Sequence, residues 1–441
     1  MLLKRIVCYV LVFLTIFTLS TVFLMASVAI PRSMIRENMS DSAEYLCKYP
    51  RTYNMIASIP SSERDLYADC ITLNIAWNFQ EDKPLASIME SKYYTSNQEF
   101  SEAFRSSVQE NLPAETQYLR YWHGSSGVIR FLHLMMSLPQ IYIVHALLLV
   151  ILLFWLVRIL IINEMHNEAA MLVIALGMVA IWFVPFCLEY TWVFLLMFLT
   201  AIVGLKLTIH GQYLYCGYLF LVAGMLTAYL DFLSTETLVL VVPLLLIIRV
   251  IERTKQTDDQ HSLLRKIWQI SIEAGLMWGI GFIGMWIGKW ILASAVLQMN
   301  VMPLVSSHIV ERIGGVRPVS SPILYVLDAV RRNIQLVFPL EFGIYGGIVV
   351  LLLVIVFFVR PTIQKRIEIR SSIRWRLVLL YGILGMIPIV RFMLLHNHSW
   401  YHQFFTYRAL AGTLLALIFM VSEILTYLPR TKSETTVTKN G

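Results

Sequence analysis

Near its carboxyl end the chain carries three histidines, an asparagine and an arginine within thirteen residues. The stretch reads His396-Asn397-His398-Ser399-Trp400-Tyr401-His402-Gln403-Phe404-Phe405-Thr406-Tyr407-Arg408. If it is helical, His398 and His402 share a face because they are four residues apart. That pair could bind a metal, but the third ligand and the acid of the usual zinc motif are missing. This concentration of imidazole and guanidinium groups predicts a functional role for the segment.

A second candidate segment is acidic. It reads Glu63-Arg64-Asp65-Leu66-Tyr67-Ala68-Asp69-Cys70-Ile71-Thr72-Leu73-Asn74-Ile75-Ala76-Trp77. Apolar residues recur at helical spacing after Asp69, which predicts that Asp69 lies at or near a helix start. Asp69 is then either the N-cap of that helix or a general base.

Two further clusters combine charged and polar residues. In Tyr118-Leu119-Arg120-Tyr121-Trp122-His123-Gly124, the guanidinium fork of Arg120 suits a phosphate, and an interfacial anchor is an equal alternative. In Asp231-Phe232-Leu233-Ser234-Thr235-Glu236, the two carboxylates either solvate a hairpin, orient an arginine or histidine of another cluster, or hold a divalent cation. The hairpin role suits Glu236 better than Asp231, because Asp231 ends an apolar segment.

The elements that must position these residues are membrane helices. Of 441 residues, 58% are apolar and only 14% are charged, whereas soluble domains average about 25% charged. This composition excludes a cytosolic globular protein, a disordered chain and a nucleic-acid binder. The net charge of +7 comes from residues in blocks beside apolar segments, as membrane topology requires. The predicted fold class is an all-α integral membrane protein.

About ten segments are long and apolar enough to cross a bilayer. They are 6–30, 138–162, 169–188, 191–209, 213–231, 234–251, 268–297, 342–360, 376–396 and 404–428. The first is longer than the apolar core of a signal peptide, so we expect a retained anchor. The distribution of lysine and arginine places both termini in the cytoplasm.

This topology divides the chain into six parts. They are a first transmembrane helix (1–30), a large, mainly helical external loop (31–137), helices two to seven (138–297), a second external loop (298–341), helices eight to ten (342–428) and a cytoplasmic tail (429–441). The four clusters all fall on the external side, so the active face is predicted to be external. A plasma membrane is the expected location.

A first span, a large external loop with an acidic residue, many further spans and scattered external Arg and His residues resemble the GT-C superfamily of membrane glycosyltransferases. The resemblance covers the overall plan of the chain and implies an inverting enzyme whose sugar donor is a polyprenyl phosphate or diphosphate. It implies that Asp69, with Asp65 as second candidate, activates the acceptor hydroxyl. The implied phosphate-side groups are Arg120, His123, His398, His402 and Arg408, with Asp231, Glu236 and His396 as further substrate-binding candidates.

The implied partners are a polyprenyl-phosphate-linked sugar, a glycan or lipid-linked acceptor of the cell envelope, and membrane lipids. A divalent cation is an open possibility as cofactor. Three alternatives stay open, namely a polysaccharide polymerase or ligase, an external acyltransferase, and a transporter of lipid-linked glycans. A transporter should place paired ionisable groups at mid-membrane, and such charges are scarce here. A polymerase usually has its largest external loop late in the chain, and here the largest is the first.

Overall fold

The computed structural model describes residues 2–231, 233–254, 260–314, 321–364 and 366–427. The predicted tail, 429–441, lies outside these residues. The described chain is mainly helical, with two small antiparallel sheets. The α-helices are, in chain order, α1 (Leu2–Val28), α2 (Arg32–Cys47), α3 (Leu66–Asn78), α4 (Pro84–Glu90), α5 (Phe100–Glu110), α6 (Gly124–Leu132), α7 (Leu138–Ile162), α8 (His166–Met178), α9 (Leu188–Ile209), α10 (Cys216–Leu230), α11 (Leu238–Thr254), α12 (Gln260–Leu297), α13 (Met302–Gly314), α14 (Pro322–Gln335), α15 (Ile344–Val354), α16 (Arg360–Ile363), α17 (Trp375–Leu394), α18 (His396–Tyr401), α19 (Gln403–Thr406) and α20 (Leu410–Ile424). The strands are β1 (Thr52–Asn54), β2 (Glu63–Asp65), β3 (Ile367–Ile369) and β4 (Leu425–Tyr427).

Eight helical segments of the described chain are long and apolar enough to cross a membrane. They are Leu3–Val28, Leu138–Ile162, Leu188–Ile209, Tyr213–Leu230, Gln260–Leu297, Ile344–Ile363, Trp375–Leu394 and Gln403–Ile424. Each coincides with a segment expected from the sequence. The prediction of an all-α membrane protein is therefore confirmed at this level.

The two remaining predicted segments are shorter in the structure. The segment 169–188 becomes α8 and a 3-10 helix, Ile181–Phe186, and the chain turns at Ala180, whose φ is +52°. Pro185 lies in the 3-10 helix, where an α-helix would lose a hydrogen bond. The segment 234–251 becomes α11, which starts at Leu238 and is buried on all sides. Complete burial is typical of a helix at the centre of a bundle.

Close contact between α10 and α12 depends on two glycines. A Cβ atom on Gly224 would lie 2.1 Å from the carbonyl oxygen of Trp278, and one on Gly281 would lie 2.2 Å from the carbonyl oxygen of Leu221. No side chain fits at either position, so the two backbones approach as closely as small residues permit.

An ion-pair network joins the helices at the end of the bundle where α7, α9 and α11 finish. Arg249 of α11 pairs with Glu168 of α8 at 3.1 Å and with Glu423 of α20 at 2.7 Å. Arg374 reaches the same Glu423 at 2.6 Å. Both glutamates are buried, so each charge has a partner that compensates its removal from water.

At the opposite end, residues 31–137 form a unit that we call the loop domain. It contains α2 to α6 and the β1–β2 sheet, in which Thr52 pairs with Asp65. Its centre is α3, which packs against α2 and α5, and Trp77 of α3 donates a hydrogen bond to the carbonyl oxygen of Ser107 of α5 at 3.1 Å. Arg130 of α6 donates to the backbone carbonyls of Ala76 and Ile30, and so fixes the domain to the end of α1.

Candidate functional site

Asp65 is the residue at which strand β2 ends and helix α3 begins. Its carboxylate accepts hydrogen bonds from the backbone N–H groups of Tyr67, at 2.8 Å, and Ala68, at 3.3 Å. Aspartate is among the best N-cap residues because it satisfies exposed N–H groups of the first turn. The alternative interpretation of Asp69 as the N-cap is therefore wrong, and the cap is Asp65, four residues earlier.

Asp69 lies in the first turn of α3 and is completely buried. One carboxylate oxygen accepts a hydrogen bond from the Tyr142 hydroxyl, and the other accepts the backbone N–H of Leu188 at 2.8 Å. Arg64 stacks on the ring of Tyr142 at 4.4 Å. Burial raises the pKa of Asp69 to about 6, against the lowering effect of Arg64. Asp69 thus joins α3 to α7 and to the first turn of α9.

Asp65 is less tightly held than Asp69. It is 6% exposed, and only its Oδ1 accepts a hydrogen bond from the described residues. Burial, followed by the charge of Asp69, raises the pKa of Asp65 to about 7. A carboxylate with a pKa near the working pH suits general-base chemistry.

Glu189 adds a carboxylate that the sequence analysis missed. It lies in the first turn of α9 and interacts electrostatically with Asp65, Asp231 and Arg312. Its side chain accepts no hydrogen bond from the residues that the structure describes. A signal for it was present, because Glu189 is the only acidic residue between Glu168 and Asp231 in a long apolar region.

The two carboxylates in the turn between α10 and α11 have different partners. Asp231 accepts the backbone N–H of Ser234 at 3.0 Å and also the Ser234 hydroxyl, so it forms the turn. Glu236 makes a buried ion pair of 2.8 Å with Arg391 at the end of α17. The assignment of the hairpin role to Glu236 is therefore wrong: Asp231 forms the turn, and Glu236 pairs with Arg391, which belongs to none of the four clusters. The charge of Arg391 is neutralised by this pair.

Two of the three clustered histidines, His398 and His402, lie against each other, and His398 also contacts α13. His398 shares a hydrogen bond with Arg312 through Nδ1 and lies 2.9 Å from the carbonyl oxygen of Leu233 through Nε2. The rings of His398 and His402 are 4.7 Å apart. Burial, followed by Arg312, lowers the pKa of His398 and brings that of His402 to about 3. Both rings are neutral at pH 7 and add no positive charge.

The other predicted residues of this cluster are placed differently. His396 packs edge-on against Tyr325 of α14, with 5.1 Å between the rings. Arg408 is fully buried and donates to the backbone carbonyls of Phe404, at 2.9 Å, and Ser61, at 3.0 Å. These contacts give Arg408 a structural task, since it ties the start of α20 to the loop domain.

The residues of the cluster that precedes α6 also lie in different environments. His123 is buried beside Lys289 of α12, and burial lowers its pKa well below the usual value. Gly124 is needed because a Cβ atom there would lie 2.3 Å from the ring of Tyr229. Arg120, in contrast, is half-buried and stacks on Tyr118 at 4.5 Å. Of this cluster, Arg120 lines a cavity and His123 does not.

That cavity, which we call the basic cavity, has a volume of about 480 Å³. Its lining residues come from α12, α13, the segments beside them and the end of α17: Arg120, Tyr121, Leu233, Phe282, Ile283, Trp286, Trp290, Val305, His308, Arg312 and Leu395. None of these residues is acidic. The Nε atoms of Arg120 and Arg312 have no hydrogen-bond partner among the described residues. The cavity therefore combines aromatic walls with two incompletely satisfied guanidinium groups.

An apolar groove adjoins the basic cavity. It lies between α12 and α17, has a volume of about 1160 Å³ and shares Phe282, Ile283 and Leu395 with the cavity. Its other lining residues run along α17 from Trp375 to Leu394, with Met420 of α20. Such a groove can hold a long apolar chain whose charged end reaches the arginines.

Electrostatic contacts show which candidates the fold brings together. Tyr67 interacts electrostatically with Asp65, Arg120 and Arg312, and His402 interacts electrostatically with Arg312 and Arg120. Electrostatic interactions thus link Asp65, Glu189, Asp231, Arg120, Arg312 and His402, and His398 is hydrogen-bonded to Arg312. Within the described ranges, no group of three or more His, Cys, Asp or Glu side chains is arranged to hold a metal ion.

Comparison with known proteins gives no relative. No protein-family model, no curated protein and no solved structure matches this chain. The site must therefore be interpreted from its own geometry.

Proposed function

We propose that this protein is a membrane glycosyltransferase of the GT-C type that uses a polyprenyl-phosphate-linked sugar as donor. The observation that carries the proposal is the continuity of the apolar groove with the basic cavity. The groove offers a place for the polyprenyl chain, and Arg120 and Arg312 offer charge-assisted hydrogen bonds to the phosphate. Among the described residues that line the cavity none is acidic, and the two guanidinium groups outnumber the one nearby carboxylate, Glu311, which pairs with His308 at 3.1 Å, so the charge favours an anion there.

The reaction would be one direct, inverting displacement. The acceptor hydroxyl oxygen attacks the anomeric carbon, the bond from that carbon to the phosphate oxygen breaks, and Asp65 takes the hydroxyl proton. The leaving phosphate would be stabilised by Arg120 and Arg312. We prefer Asp65 to Asp69 as base, because both carboxylate oxygens of Asp69 are occupied in a fully buried position.

The proposal includes a plasma-membrane location, ten crossings and a loop domain outside the cell. The count of ten adds α8 and α11 to the eight long spans, because both helices pack in the bundle against longer spans. An impermeant thiol reagent tests the orientation in intact cells. A cysteine at the exposed position Gln109 of the loop domain should react, and one at Arg265 before the membrane part of α12 should react only after permeabilisation.

The activity is tested by comparing cells with the intact protein, without it, and with Asp65→Asn. We expect both altered strains to lose the same sugar from an envelope glycan and to accumulate the polyprenyl-phosphate-linked sugar. An unchanged glycan would contradict the proposal. A glycan that loses chain length alone, with its composition intact, would favour a polymerase or a transporter.

A further inference from the structure

A second cavity lies inside the loop domain, away from the groove. It has a volume of about 560 Å³ and is open to the surface. Its lining residues come from the end of α2, the β1 strand, α3 and the start of α5: Leu46, Cys47, Tyr49, Pro50, Arg51, Thr52, Leu66, Tyr67, Cys70, Glu99, Phe100, Ser101 and Glu102. None of these residues belongs to the basic cavity. We call it the loop-domain cavity.

Aromatic rings and hydrogen-bonding groups alternate around this cavity. Tyr67 and Phe100 meet edge to face with their centroids 4.3 Å apart, and Arg51 stacks on Tyr67 at 4.1 Å. Tyr49 is partly exposed at the cavity. Glu99 is exposed, and its carboxylate makes no hydrogen bond to the residues that the structure describes. Rings for apolar contact and free polar groups for orientation are the usual components of a small-molecule site.

The charges of the lining disfavour an anion. The lining contains two carboxylates, Glu99 and Glu102, and one guanidinium, Arg51, and Glu102 is paired with Arg105 outside the lining, so the cavity has no excess of positive charge. A lipid tail is disfavoured as well, because the polar side chains would lose hydrogen bonds to water without replacement. A sugar has C–H faces for the rings and hydroxyls that both donate to carboxylates and accept from arginine.

The position of the cavity connects it to Asp65. The lining residue Thr52 is directly opposite Asp65 in the β1–β2 sheet, and the lining residues Leu66 and Tyr67 follow Asp65 in the chain. Arg51 stacks on Tyr67 at this cavity, and Tyr67 also interacts electrostatically with Arg120 and Arg312 of the basic cavity. Tyr67 therefore lines this cavity and also interacts with the charges of the basic cavity, and Asp65 lies two residues before it in the chain.

From this geometry we infer that the loop-domain cavity binds a neutral saccharide, the sugar end of the acceptor. The saccharide class follows from the lining itself, whereas its role as acceptor rests on the proposed function. Donor and acceptor would then enter from opposite sides of Asp65.

The test uses Cys47, a half-buried thiol of the cavity wall, in the full-length protein in lipid nanodiscs. Cys8→Ser removes the other accessible thiol. The rate at which N-ethylmaleimide modifies Cys47 is measured with neutral di- to tetrasaccharides built from glucose, galactose, mannose or N-acetylglucosamine. Water-soluble glycan released by mild acid from the envelope of the native host is added to the same panel. Inorganic phosphate and anionic lipid vesicles are the comparison ligands.

We expect at least one neutral saccharide to slow modification threefold or more, and Phe100→Ala and Glu99→Gln to abolish this protection. Gln109→Ala, exposed on the same α5 but outside the lining, should retain it. Protection by phosphate or vesicles alone, protection by none of the ligands, or protection that survives both cavity variants would overturn the inference. The readout needs no turnover, so a chain that protects Cys47 but transfers no sugar would refute only the proposed function.

Discussion

Asp65 and Asp69 lie one helical turn apart at the start of α3, and their hydrogen bonds give them different tasks. Asp69 is fully buried and uses both carboxylate oxygens to hold Tyr142 and the backbone of Leu188. Asp65 caps the helix with one oxygen, and its side chain retains slight exposure. A buried carboxylate whose two oxygens both accept hydrogen bonds holds neighbouring helices together. A partly exposed carboxylate with a raised pKa can instead accept a proton.

Replacement of Asp65 by asparagine should separate capping from catalysis. Asparagine caps helices as well as aspartate does, so α3 should persist in Asp65→Asn. We expect transfer activity to fall by about 10²-fold or more, with a nearly unchanged thermal midpoint at pH 5. Asp65→Ala should lose the activity and in addition about 1 kcal/mol of stability. Full transfer activity in Asp65→Asn would remove Asp65 from the chemistry.

The pH dependence of both activity and stability should report on Asp65. Because its pKa in the folded protein is about 7, transfer should speed up as the pH rises through 7 and the carboxylate ionises. A folded-state pKa above the usual 3.8 means that the folded protein binds this proton more tightly. The stabilisation is therefore full below about pH 4 and is lost as the pH rises through 7.

Thermal unfolding between pH 5 and pH 8 measures the second effect. The midpoint should fall as the pH rises, and the fall should be shallower in Asp65→Asn, which cannot ionise. Asp69 contributes with the same sign, because its pKa is also raised, to about 6, and it is present in both proteins. Identical slopes in the two proteins would show that Asp65 titrates normally.

We expect the main effect of replacing Asp69 to be a loss of stability. Asp69→Ala leaves the Tyr142 hydroxyl and the Leu188 amide buried without a partner, and each such group costs about 1–3 kcal/mol. Tyr142→Phe removes only one of the two hydrogen bonds and should cost about 1 kcal/mol. Thermal unfolding of the purified variants checks this order. If Asp69→Ala unfolds at the same temperature as the unaltered protein, then Asp69 does not hold α3 to α7 and α9.

The membrane-spanning architecture could be predicted from the sequence, but the interior of the site could not. Spans such as Trp375–Leu394 are visible because hydropathy is a local property of about 20 residues. The break at Ala180 depends on a left-handed residue that nothing in its side chain requires. Asp65 and Asp69 have the same side chain and are four residues apart, so the sequence could not decide which of them is the cap.

Contacts between residues that are far apart in the chain account for most of the remaining differences between the predicted and the observed site. From the sequence, Arg408 was a candidate for binding phosphate. In the structure its guanidinium donates a hydrogen bond to the carbonyl oxygen of Ser61, 347 residues away. Arg312 became important only because α13 places it beside Arg120. The apolar groove is formed by two helices that are separated by about 80 residues in the chain, and hydropathy does not indicate how they pack.

The arginines of the basic cavity should respond differently from Arg408. Arg120→Lys and Arg312→Lys keep the charge but lose the planar fork, so the KM for the donor should rise while thermal stability stays nearly constant. Arg408→Lys should instead lower the thermal midpoint, because lysine cannot reach both backbone carbonyls in the same way. Steady-state kinetics at varied donor concentration, together with thermal unfolding, distinguish the two patterns. A donor KM that moves only in Arg408→Lys would reverse these assignments.

The groove itself can be tested by filling it. Gly382 of α17 lines the groove, and a Cβ atom there would meet only the Met420 side chain, at 3.7 Å or more. Gly382→Leu should therefore fold, since leucine is also the better helix former, and place its side chain where the polyprenyl chain is proposed to lie. The matched control is Gly275→Leu on α12, where a Cβ atom meets nothing within 4 Å and which is outside the groove lining. We expect Gly382→Leu to raise the KM for a long-chain donor at least tenfold and to leave a ten-carbon analogue unaffected, because only the long chain needs the blocked part. Equal kinetics of Gly382→Leu and Gly275→Leu with the long-chain donor would move the lipid out of the groove.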